Sequence, residues 1–83
     1  MTNIPSFVRY SWLNNYLIQN RCKLDEIQGN THTWINIEKK EKFALLNVPN
    51  NGEINFSTAK SAIELLYLSV EDFIQELSKE SEQ

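Results

Sequence analysis

The chain has 83 residues, 41% of them hydrophobic and 11% aromatic, with two Gly and two Pro. That is enough for one small packed domain and argues against a disordered or fibrous chain. A formal charge of −3 argues against a general polyanion binder, and a lone cysteine without a CxxC or Cys/His set leaves neither an internal disulfide nor a structural zinc site to expect.

The charge is uneven. Residues 64–83 carry Glu64, Glu71, Asp72, Glu76, Glu80 and Glu82 against Lys79, whereas residues 1–63 carry seven Lys and Arg against five Asp and Glu. The acidic excess therefore belongs to the C-terminal end and the body is mildly basic. No apolar run approaches membrane-spanning length, and no basic leader with an apolar core precedes Ser6. The expectation is a single cytoplasmic domain over residues 1–83, with no membrane contact, no metal and no cofactor. A core this small leaves room for a homo-oligomer or a partner to contribute.

Residues 1–5 read as an arm. Ser6 is placed to cap a helix running to about Asn20, with Leu13, Tyr16, Leu17 and Asn20 on one side at helical spacing. Asn20-Arg21 is the exit, with Cys22 a small apolar filler there. Lys23 to Gln28 is a short strand, and Gly29-Asn30 a turn. From Thr31 to Glu38 the side chains alternate: Thr31, Thr33, Ile35 and Ile37 point one way, His32, Trp34, Asn36 and Glu38 the other. The charged run Glu38 to Lys42 forms the next hairpin connection. Phe43 to Val48 is the most apolar strand, with Ala44, Leu46 and Val48 on one face and Phe43, Leu45 and Asn47 on the other. Pro49-Asn50-Asn51-Gly52 ends it. A second helix starts after a cap at Ser57 or Thr58 and buries a stripe of Ala59, Ala62, Ile63 and Leu66, with Tyr67 a further candidate for it. Ser69-Val70-Glu71-Asp72 reads as a capping box opening a last helix with Phe73, Ile74 and Leu77. Residues 78–83 read as a frayed polar tail.

The order predicts an α+β fold, αβββα(α), in which a three-stranded antiparallel meander has its helices packed on one face. With Ile35 and Ile37 turned to the helices, His32, Trp34 and Asn36 look outward, joined by Phe43 or Leu45. An aromatic and a histidine on an open sheet face suggest a contact surface.

From Gly29 onward the chain resembles the HicA-type mRNA interferase toxins. Gly29-Asn30-Thr31-His32 is similar to the family's Gly-Ser-x-His element, and Val48-Pro49 to its strand-ending Pro. Glu53-Ile54, Thr58 and Ala62-Ile63 match its following helix, and Leu68-Ser69-Val70-Glu71-Asp72-Phe73 the pattern between its last helices. Three features depart from the family. Asn51 stands where a second His is frequent, Tyr67 where Gly is usual, and the chain is acidic where the family is basic. The outline is also similar to a double-stranded-RNA-binding domain, but of the Lys pair expected at the second helix only Lys60 is present.

The resemblance implies metal-independent cleavage of single-stranded mRNA, with His32 taking the proton of a 2′-hydroxyl that then attacks the neighbouring phosphate. An imidazole suits that step because it titrates near working pH. Gly29, Asn30 and Thr31 belong to the same RNA-binding element, and Lys39, Lys40, Lys42 or Lys60 is the candidate for stabilising the phosphorane. Trp34, on the face of His32, is placed to stack a base, a contact worth about 1–3 kcal/mol. With a single histidine, leaving-group protonation falls to a Lys, a Tyr or water. The resemblance also implies a cognate antitoxin protein that covers the site.

The other reading is a non-catalytic interaction module, an inhibitor or adaptor using the open sheet face or the acidic C-terminal helix, with Trp34, Glu71 and Asp72 at the partner contact. Binding of double-stranded RNA ranks third, because the basic groove contacts are missing.

Overall fold

A computed structural model describes residues 5–81. The arm expected over residues 1–5 lies, Pro5 aside, outside the described residues, as do residues 82–83 of the tail. The elements in order are β1 (Phe7–Arg9), α1 (Tyr10–Gln19), β2 (Cys22–Gln28), β3 (Thr31–Asn36), β4 (Phe43–Asn47), β5 (Glu53–Asn55), α2 (Phe56–Leu65) and α3 (Val70–Ser81). The protein is α+β, with an antiparallel β2-β3-β4 sheet and three helices.

A two-stranded ribbon joins the segments before and after that meander. β1 pairs antiparallel with β5, Val8 opposite Ile54. The segment expected to start a helix at Ser6 is thus extended through Arg9, because its backbone groups bond across the chain rather than up a helix. Ser6 O accepts from Phe56 N at 2.9 Å, and Tyr10 N donates to Gly52 O at 2.8 Å. The helix begins only at Tyr10, where no side chain caps it. It ends at Asn20, whose amide returns to Tyr16 O at 2.8 Å, and Arg21 turns the chain with φ of 63°.

The β2–β3 hairpin turns at Gly29, whose φ of 58° is readily adopted by a residue without a Cβ. Its register carries a bulge between Leu24 and Glu26. The β3–β4 register is unbroken from Thr31 opposite Asn47 to Ile35 opposite Phe43. The starts of α2 and α3 agree with the local chemistry in part. Asn55, not Ser57 or Thr58, caps α2, its Oδ1 accepting from Ser57 N at 3.0 Å. Ser69 caps α3 as expected, its Oγ accepting from Asp72 N at 3.2 Å. α3 continues through Ser81, over residues expected to fray.

The alternation of β3 is as read, but its faces are exchanged. Trp34 and Asn36 are buried, as are Ala44 and Leu46 opposite, and the helix residues Leu13, Leu17, Ala59, Ile63, Leu66 and Phe73 pack over them. Thr31, Thr33 and Ile35 point outward beside exposed Phe43 and Leu45. The physical reason is volume. Indole is the largest apolar body in the chain, and Ala44 directly across from it leaves the room that Phe43 or Leu45 would fill. Asn36 is tolerated inside because both of its polar atoms are bonded. Its Nδ2 donates to Leu66 O at 2.7 Å, and its Oδ1 accepts from Glu38 N at 2.9 Å and Lys39 N at 3.1 Å.

Candidate functional site

His32 lies one position into β3, on the helix-facing side rather than the open one, and is half-buried at the end of the sheet. Tyr10, the first residue of α1, closes over it. The phenol oxygen is 2.6 Å from His32 Nδ1, and the two rings meet edge to face with centroids 4.9 Å apart. Trp34, two residues along the same face, donates Nε1–H to that oxygen at 3.3 Å. The phenol oxygen therefore joins both.

Hydrogen-bond chemistry limits what this trio does. An indole N–H only donates, so the phenol oxygen is the acceptor there. The contact with His32 has two forms. If Nδ1–H donates to the second lone pair of the phenol, Nε2 is left as a free base and the phenol keeps a proton to give. If the phenol donates to Nδ1, Nε2 carries the proton and only donates. Burial raises the Tyr10 pKa above that of free tyrosine, against a smaller lowering from the Trp34 bond, so the phenol remains protonated at neutral pH.

Tyr10 also lines an open cleft with Arg9, Ser11, Asn14, Asn51 and Glu53. α1 starts in this cleft with no acidic residue in its own first turn, and Glu53 of β5 is the carboxylate in the lining. The Gly52 turn holds the floor in place: Gly52 N donates to Pro49 O at 2.9 Å, and Asn51 Oδ1 accepts from Glu53 N at 3.0 Å.

The expected site residues divide into several places. Gly29 and Asn30 form the hairpin turn beside His32, and Asn30 O accepts from Val48 N at 2.7 Å. Thr31 points to the outer face, bonded to Asn47 Oδ1 at 3.3 Å. Trp34 is 1% exposed. It is a core ring and cannot stack an RNA base or meet a partner, which corrects both roles expected of it. Lys39, Lys40 and Lys42 sit beyond the far end of β3, four strand steps or roughly 13 Å past His32. There Lys39 and Lys42 place their ammonium groups 5.2 Å and 4.5 Å from the Tyr67 ring centroid. Lys60 is half-buried on α2. Glu71 and Asp72 are exposed in the first turn of α3, where carboxylates complement the dipole.

The structure thus separates His32 from the hairpin lysines and brings Tyr10 to it instead, while Arg9 and Asn51 line the cleft that Tyr10 borders. Tyr10 is 22 residues from His32, and no local pattern links them. Asn51 stood out in the sequence as part of the turn after Pro49. Among the described residues no group of three or more His, Cys, Asp and Glu is placed to hold a metal, and no helix is long and apolar enough to cross a membrane. Cys22 is buried and its thiol is pushed up to about 11, a poor nucleophile.

No protein-family model, curated protein or solved structure matches this chain.

Proposed function

We propose that the protein is an endoribonuclease toxin of a toxin–antitoxin pair, acting in the cytoplasm on single-stranded mRNA with His32 as general base. The observation that carries this reading is the 2.6 Å contact between His32 Nδ1 and the Tyr10 hydroxyl. A histidine whose Nδ1–H is held by a partner presents Nε2 in a fixed direction as a base. That base takes the 2′-hydroxyl proton and the 2′-oxygen bonds to phosphorus. The bond to the 5′-oxygen then breaks, leaving a 2′,3′-cyclic phosphate. The departing oxygen takes a proton from Tyr10, one of the donors open to a one-histidine site and the one beside His32. Arg9, in the same cleft as Tyr10, replaces the lysines as the cation for the phosphorane.

Purified wild type, His32→Ala and Tyr10→Phe are compared on single-stranded RNA. Cleavage by wild type ending in a cyclic phosphate, abolished in His32→Ala and slowed about 100-fold or more in Tyr10→Phe, is the expected outcome. Equal cutting by all three, or none by any, refutes the reading. Expression in a host without the antitoxin arrests growth for wild type and not for His32→Ala.

A second reading, the non-catalytic interaction module, is favoured by the exposed apolar residues Phe43 and Leu45 on the uncovered sheet face. It requires that charge reversal at Glu71 and Asp72, or a charge introduced at Phe43 or Leu45, weaken partner capture, while His32→Ala leaves it unchanged.

A further inference from the structure

The two edges of the sheet are built differently. β2, at one edge, is broken by the bulge between Leu24 and Glu26 and carries Lys23, Asp25 and Glu26. Bulges and charges are the ordinary protections of an edge strand. β4, at the other edge, has neither: Phe43–Asn47 holds no charge and no Pro, and its register is continuous. Asn36 N donates to Lys42 O at 3.0 Å and Val48 N to Asn30 O at 2.7 Å. By the alternation of an antiparallel ladder, residues 42, 44, 46 and 48 turn their backbone groups to β3. Phe43, Leu45 and Asn47 turn theirs outward, where among the described residues no backbone group meets them.

Apolar side chains surround that edge. Phe43 is 54% exposed, Leu45 62%, Leu65 54% and Tyr67 57%, and the four line one groove between β4 and the end of α2. At such exposures they present on the order of 500 Å². Covered in both copies, this surface amounts to roughly 1,000 Å², the lower bound of a specific interface, to which the strand backbones and the rim add.

We propose that the protein forms a two-fold homodimer in which β4 of one copy pairs antiparallel with β4 of the other, making a continuous six-stranded sheet. An antiparallel strand is self-complementary about a two-fold axis, so one surface serves both copies. Pairing all three outward residues selects one register: Leu45 lies opposite Leu45 of the second copy, and Phe43 opposite its Asn47. The helix beside the edge is complementary as well. Lys60 and Glu64 lie one turn apart on one face of α2, and Glu64 lines the groove. Among the described residues neither is held in an ion pair. The axis that reverses β4 also reverses α2 and sets Lys60 of each copy towards Glu64 of the other.

Sedimentation equilibrium across a dilution series tests this on the full chain. The mass is expected to rise from 9.7 kDa to twice that value with concentration. Leu45→Lys holds it at one chain with an unchanged circular dichroism spectrum. Lys60→Glu weakens the dimer, and Lys60→Glu with Glu64→Lys restores it. Opposed Cα atoms in such a bonded pair lie about 5.5 Å apart, within disulfide range. Leu45→Cys is therefore expected to cross-link on mild oxidation at least about tenfold faster than Ile18→Cys, a control on exposed α1 surface. A monomer at every concentration overturns the proposal and leaves the edge to a strand of another protein. A dimer in which the Leu45→Cys variant cross-links no faster than the Ile18→Cys variant, or that survives Leu45→Lys, overturns it too.

Discussion

Replacing Asn36 by Ala measures what holds the hairpin to the helices. The side chain makes three hydrogen bonds: to Leu66 O at the end of α2, and from the backbone N–H groups of Glu38 and Lys39. Each contributes about 1 kcal/mol net, and a buried group left without a partner costs about 1–3 kcal/mol. Leu66 is fully buried, so its carbonyl cannot turn to water, and the expected loss is about 3–5 kcal/mol. A domain of this length holds roughly 4–12 kcal/mol in all, so the midpoint of thermal unfolding drops by on the order of 20 °C. Urea unfolding followed by circular dichroism gives the free energy directly. Asn36→Asp keeps the acceptor and loses the donor, setting a carboxylate against the Leu66 carbonyl. Its deficit is therefore expected to shrink on acidification, when the protonated acid donates in its place. Were Asn36 on the open face, Ala would change stability by no more than about 0.5 kcal/mol. A measured loss below about 1 kcal/mol refutes the inward orientation of β3.

Two further outcomes follow from the same geometry. Burial raises the Cys22 thiol from 9.0 to about 11, so the native state holds its proton where the unfolded state has lost it. Stability from this group is intact below pH 9 and falls between pH 9 and 11, by on the order of 2–3 kcal/mol. Alkaline unfolding curves of wild type are expected to fall more steeply than those of Cys22→Ala, and parallel curves contradict the assignment. Asn55→Ala removes the α2 cap and is expected to cost about 1 kcal/mol in urea unfolding, whereas Ser57→Ala costs less because Ser57 is the bonded donor rather than the cap.

Much of the candidate site was legible as residues but not as an arrangement. His32 stands out because it is the sole histidine, and the Gly29-Asn30 turn before it is written in local chemistry. Its companions are not. Tyr10 reaches His32 only because β1 pairs with β5, a contact between positions 48 residues apart, Phe7 and Asn55. Three-residue strands carry too short a pattern to be read against a helical alternative. Asn55 as the α2 cap follows from the same pairing, since β5 hands the chain to the helix at that residue.

By itself the sequence determined the meander, its two turns, the buried stripe of α2 and the Ser69 cap of α3, because each depends on residues within a few positions of one another. It also determined which side chains of β3 share a face, since alternation follows from the pleat. It left undecided which face turns inward. In β4 both faces are apolar, so periodicity offers two nearly equal solutions, and the choice lies in how volumes fit across strands and under helices. Trp34 over Ala44, with Asn36 bonded to Leu66 O, is the solution that fills space and, among the described residues, leaves no buried polar side chain alone. That fit exists only once the chain has closed on itself.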